Sequence, residues 1–375
     1  MTNHMKKLVL SAAALFAVGA LALSGCSSER GGSGDGAGDG DGATGFEAGA
    51  RIGIALPDKT SENWVLAGDL FTDGLEAAGF EADVQYAPAS NTVAEQQNQI
   101  QSMVTSGAKV IVIGAKDGKQ LATQVEAAKA AGAYVIAYDR LIENTEAVDY
   151  YVAFDNFKVG QLQGQALLEG LEKNAGHGAP YNVELFSGSP DDANSAVFFD
   201  GAMDVLQPKI DDGTLVVQSG QTEIGQTATQ GWLAENAQER MDAILTSTYS
   251  DKELDGVLSP NDTLARAILT SVDQAGKKQP VVTGQDSEAE SVRLIMEDRQ
   301  YSTINKDTTL LVEQTIKMIE QLQAGEEVDV NDTEQYDNGV KVVPSYLLDP
   351  VIVTKENAAE AYANVPSLLE IVESY

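Results

Sequence analysis

Asp139 and Arg140 stand side by side at the end of VIAY (135–138), a run suited to a buried strand. A carboxylate only accepts hydrogen bonds and a guanidinium only donates them, so the pair together serves groups that do both. Four more stretches carry such residues just after a β-rich run: 187–194, 259–262, 285–286 and 305–306. They contain Asp192 and Asn194, Asn261, Asp286, and Lys306 respectively. A polar rim built from several strand ends suits a ligand dense in hydroxyls. Charge-assisted bonds are the shorter and stronger kind, and Arg grips two oxygens at once.

A sugar is such a ligand. Its hydroxyls need both donors and acceptors, and its apolar ring faces suit aromatic platforms. The only tryptophans, Trp64 and Trp232, are candidates for these. Catalytic machinery is not evident. His4 lies near the start of the chain, leaving His177, in NAGHGAP, as the one histidine of the main body. That argues against a multi-histidine metal site and against a Ser–His–Asp triad. FSGSPDD is neither a P-loop nor a nucleophile elbow, and DKELDG lacks the spacing of a calcium-binding loop. Paired acids such as Asp191–Asp192 mean little in a chain with 57 Asp and Glu. No catalytic residue, metal or cofactor is expected.

The elements that must hold these residues alternate in type. Strands are predicted at 51–56, 80–86, 109–113, 134–138 and 150–154, with helices at 63–78, 93–106 and 119–131 between the first four. A second set has strands at 182–186, 215–218, 256–258, 281–283 and 301–304. Its helices fall at 158–172, 193–206, 233–245, 262–274 and 288–297. Apolar strands alternating with helices predict parallel sheets covered on both faces, here in two similar α/β lobes. In such sheets ligands bind beyond the carboxyl ends of the strands, where Asp139 and Arg140 sit. The length of 375 residues and the 43% hydrophobic content fit two cores of ordinary size. The net charge of −33 repels nucleic acid, so no such partner is expected.

The N-terminus reads as an export signal. Lys6 and Lys7 precede an apolar run, 8–23, which ends in LSGC at Cys26 and looks like a bacterial lipobox. Residues 1–25 are expected to be removed, and Cys26, the sole cysteine, to carry lipid. The Gly-, Ser- and Asp-rich stretch that follows, within 26–50, reads as a tether reaching roughly 25–30 Å. The expected location is the outer face of the cytoplasmic membrane, which is the periplasmic side in a Gram-negative cell.

VIAYDRLIENTEAVDYYVAFDNFKVG, with FSGSPDDANSA, SPND, TGQDSE and VKVVPSYLLDPVIVTKEN, closely resembles the periplasmic binding proteins that serve sugar ABC importers. Within that family the resemblance is to the D-xylose-binding and multiple-monosaccharide-binding groups, and it covers 51 to about 357. It implies a type I architecture, two Rossmann-like lobes joined by three crossovers and closing on one aldose. One lobe would comprise 51–157, completed by about 308–325; the other 158–306, completed by about 335–375. The family's pocket pattern falls on Lys59, Trp64, Asp139, Arg140, Asp192, Asn194, Trp232, Asn261, Asp286 and Lys306. The two indoles would sandwich the ring. Relatives often carry Arg directly before the first-lobe Trp, whereas this chain has Asn63. The implied partners are a permease and its ATPase, the chain itself being a monomer without a nucleotide motif. Rival readings are a sugar-sensing co-receptor, a carbohydrate-active enzyme and a sugar-responsive repressor. The missing acid/base machinery argues against the second. The third needs an N-terminal DNA-binding helix pair where the lipobox and tether stand.

Overall fold

The inner strands of the first lobe alternate their side chains between two cores. In β1 (Arg51–Leu56), Ile52, Ile54 and Leu56 face one core and Ala55 the other. This strict period of two, with both faces apolar, is what a sheet covered on both sides requires. The computed structural model describes residues 45–88 and 93–375. Cys26, the lipobox and the tether up to residue 44 lie outside the described residues.

The chain continues through α1 (Glu62–Ala77), β2 (Glu81–Tyr86), α2 (Val93–Thr105), β3 (Val110–Ile113) and α3 (Ala122–Ala130) to β4 (Tyr134–Tyr138) and β5 (Tyr150–Phe154). Then come α4 (Asn156–Asn174), β6 (Tyr181–Leu185), α5 (Asn194–Asp211), β7 (Leu215–Val217), α6 (Ile224–Thr227) and α7 (Ala234–Ser247). After them lie β8 (Gly256–Leu258), α8 (Asp262–Gln274), β9 (Val281–Val282), α9 (Ala289–Met296) and β10 (Ser302–Asn305). The last elements are α10 (Thr308–Ala324), β11 (Ser345–Leu348), β12 (Val351–Thr354), α11 (Ala358–Ala361) and α12 (Pro366–Glu373).

The first lobe is a six-stranded parallel sheet in the order β11-β5-β4-β3-β1-β2. Phe71 and Leu75 of α1 pack with Val312 and Ile319 of α10 on one face; Ile100, Met103 and Val125 of α2 and α3 cover the other. The second lobe has a four-stranded parallel sheet, β7-β6-β8-β9. Leu167, Leu171, Phe199 and Leu206 of α4 and α5 cover one face, and Met241, Ile244 and Ile268 of α7 and α8 the other. The chain passes between the lobes three times: after β5, after β10 and after β11.

The 301–304 strand departs from the expected parallel set. It forms β10, which pairs antiparallel with β12 in a separate two-stranded sheet. Only two backbone bonds, Tyr301 N to Val282 O and Asp286 N to Ile304 O, tie it beside β9 (both 2.9 Å). Its partner strand returns from the first lobe and so runs opposite to it. Among the described residues no helix is long and apolar enough to cross a membrane.

Candidate functional site

Side chains from loops beyond the carboxyl ends of β1, β3, β4, β6, β8, β9 and β10 converge on a cavity of about 340 Å³ between the lobes. That is the lower end of the range for small-molecule sites. Trp64 reaches it from the first turn of α1, which Ser61 caps by accepting from the Asn63 N–H (3.3 Å). Asp139 and Arg140 follow β4 directly. Asp192 and Asn194 come from the β6–α5 loop and the α5 start, and Trp232 from the turn before α7. Asn261 caps α8, its Oδ1 accepting from Leu264 N at 2.9 Å. Asp286 and Lys306 follow β9 and β10.

Three of these residues hold a left-handed backbone: Asp139 at φ 61°, Trp232 at 55° and Asp286 at 95°. Such strain in non-glycine residues persists only where the surroundings enforce it, and it concentrates at functional sites. Here backbone bonds enforce it, Asp139 N to Val152 O (2.8 Å) and Asp286 N to Ile304 O (2.9 Å).

The charged groups interlock across the cleft. Arg140 Nε lies 3.1 Å from Asp192 Oδ2, which also accepts from Trp232 Nε1 at 3.2 Å. The Arg140 guanidinium sits 5.3 Å from the Trp64 ring centroid and donates to Ala115 O at 3.2 Å. Lys306 Nζ lies 3.0 Å from Asp286 Oδ1. Asn194 Nδ2 donates to the backbone oxygen of Asp139 (2.6 Å), and Tyr151 OH bridges that oxygen and Asn194 Oδ1. Burial pushes the Asp139 carboxyl above its ordinary value; Lys306 and Arg140 pull it back, while Asp192 and Asp286 add to the rise. For Lys306 burial works downward, yet Asp286, Asp139 and Asp192 outweigh it and its ammonium is held more firmly protonated. Arg140 behaves likewise, with Asp192 and Asp139 overcoming the cost of burial. The result is a set of fixed donors and acceptors flanked by two indoles.

Nine of the ten expected pocket residues line this one cavity. Lys59 does not: it is exposed, with its ammonium over the Tyr86 ring at 4.4 Å from the centroid. The lysine that lines the cavity on this side is Lys116, 9% exposed and 3.0 Å from Asp58. Lys116 follows β3, so the strand-end rule that flagged Asp139 could have found it. Asn63 also lines the cavity, and its Nδ2 donates to Asp286 O across the cleft at 3.3 Å. Gln285 lines it too, 2% exposed, with an Oε1 that has no protein partner. Among the described residues no group of three His, Cys, Asp or Glu could hold a metal ion.

Residues 52–327 match the family described as periplasmic binding protein domain. The multiple sugar-binding periplasmic receptor ChvE of Rhizobium radiobacter is 49% identical over 311 residues, 82% of this chain and 87% of that protein. The D-xylose-binding periplasmic protein of Escherichia coli is 34% identical over 308 residues, again 82% and 87%. An ABC transporter solute-binding protein from Clostridium phytofermentans, solved with bound β-D-glucose, superposes with a TM-score of 0.80. It is 42% identical, and the match covers 85% of this chain and 99% of that one. The strand-end cleft, the three crossings and these matches agree: the chain belongs to the periplasmic binding protein family.

Proposed function

We propose that this protein is the extracytoplasmic receptor of an ABC importer, capturing one aldose of the xylose, glucose, galactose or arabinose type. The observation that carries this is the convergence of Asp139, Arg140, Asp192, Asn194, Asp286 and Lys306, with two indoles, on one cavity between the lobes. Acids supply acceptors for ring hydroxyls, and the cations and Asn194 supply donors. Relatives named for sugars, and a neighbour solved with β-D-glucose, support the same ligand class. Ligand bridging the lobes would shift an open–closed equilibrium, and the closed form would deliver to a permease driven by a separate ATPase. The match to the periplasmic binding protein domain, and relatives named as sugar-binding proteins, support a binding role.

Lipidation at Cys26 would hold the monomeric receptor at the membrane, since two or more acyl chains anchor stably. Loss of membrane pelleting in Cys26→Ser is the expected outcome; continued pelleting removes the anchor. For the ligand, a thermal-shift screen of aldopentoses, aldohexoses, disaccharides and unrelated solutes is the test. A hundredfold excess over the dissociation constant stabilises the folded state by about 2.7 kcal/mol. A selective shift with monosaccharides supports the reading, and no shift with any of them overturns it.

A further inference from the structure

At the edge of the cleft, outside the cavity lining, a carboxylate from one lobe caps a helix of the other. Glu62, the first residue of α1, accepts at Oε2 from the Ala289 N–H at 3.2 Å. Ala289 is the first residue of α9, whose opening N–H groups lack intrahelical partners. The residue that should serve them, Glu288, makes no side-chain cap. Its carboxylate is committed elsewhere, to Arg266 and to Thr263 Oγ1 (2.9 and 3.0 Å), and is almost fully buried. The first of those groups, the Ala289 N–H, is served from across the cleft, and the negative charge suits the positive end of the helix. Two weaker contacts flank it: Ser61 Oγ to Glu288 Oε1 at 3.5 Å, and Asn63 Nδ2 to Asp286 O at 3.3 Å.

We propose that Glu62 is a positioning residue that holds the lobes together over the sugar without touching it. This rests on the receptor reading above. Glu62 is absent from the cavity lining, whereas Asn63 lines it, so Glu62 isolates closure from ligand contact. A contact made only when the lobes meet stabilises the closed state alone, and its loss acts on escape of the ligand.

The experiment is stopped-flow binding of D-glucose and of D-xylose to the full chain in detergent, wild type against Glu62→Ala and Glu62→Gln. Losing a helix cap predicts dissociation faster by roughly threefold to thirtyfold in Glu62→Ala, with association within about twofold. Glu62→Gln, which keeps an acceptor oxygen, should fall between. The thermal midpoint of the sugar-free protein should stay unchanged. Wild-type binding with an unaltered dissociation rate in Glu62→Ala overturns the proposal, as does a lowered sugar-free midpoint with no change in that rate. A wild-type chain that binds neither sugar overturns the receptor reading itself, and the latch with it.

Discussion

At the scale of single residues, Asp139 combines three features that rarely coincide: a left-handed backbone, partial burial and two cations nearby. Its raised pKa means that the fold itself is not stabilised by this charge. A carboxyl raised in the folded state favours folding when protonated, and that contribution is lost as pH rises through the folded pKa. When charged, a carboxylate offers a ligand hydroxyl an acceptor worth about 1.5–3 kcal/mol per bond. Acidification should therefore weaken sugar binding at a pH above the ordinary Asp range, before the fold is lost. Asp139→Asn should lower affinity by roughly tenfold to a hundredfold. It should also flatten the acid limb of the affinity–pH profile in calorimetry. An Asn variant with wild-type affinity and the same acid limb would exclude Asp139 as the ligand's acceptor. The pairing of Asp139 with Arg140 was legible because two such residues end an apolar strand. Lys116 was legible by the same rule, since it follows the apolar strand β3, whereas Lys59 was taken from the resemblance and the structure leaves it outside the cavity lining.

At the scale of elements, the β-rich runs located the parallel strands to within a few residues, because each is short, carries at least one apolar face and is followed by polar residues. The C-terminal strands were not predicted. Ser345–Leu348 and Val351–Thr354 are separated by only Asp349 and Pro350, yet they join different sheets, one in each lobe. The packing of α4 on α5 is another feature visible only in three dimensions. A Cβ on Gly160 would stand 2.0 Å from Phe198 O, and one on Gly201 would stand 2.1 Å from Phe157 O. These helices therefore touch backbone to backbone. Because α5 begins at Asn194, separating them also moves a pocket side chain. Gly160→Leu should destabilise the protein by about 1–3 kcal/mol or more, as overpacking does, and weaken sugar binding as well. Gly225→Ala, with open space at its Cβ, should change neither. Denaturant melts and calorimetry on both variants check this; an unaltered Gly160→Leu would mean that the helices part freely.

At the scale of the whole molecule, stability and sugar binding should respond unequally to salt. The sequence holds 24 Lys and Arg against 57 Asp and Glu, so even complete pairing leaves an excess of 33 acids. Surface pairs such as Lys158–Asp349 and Lys355–Asp298 are exposed and contribute at most about 1 kcal/mol each. Long-range repulsion among the excess acids destabilises the compact state. Screening shortens its reach from about 30 Å at 0.01 M salt to about 8 Å at 0.15 M. The sugar-free thermal midpoint should therefore rise by a few degrees over that range, about 2–4 °C for each kcal/mol recovered. Sugar binding should barely respond, because an aldose is neutral and these pocket charges are already paired and largely shielded from solvent, Arg140 with Asp192 and Lys306 with Asp286. A midpoint that falls with salt would mean that local pairs outweigh the net repulsion. Affinity that falls steeply with salt would mean that the ligand itself is charged, pointing to a sugar acid in place of a neutral aldose.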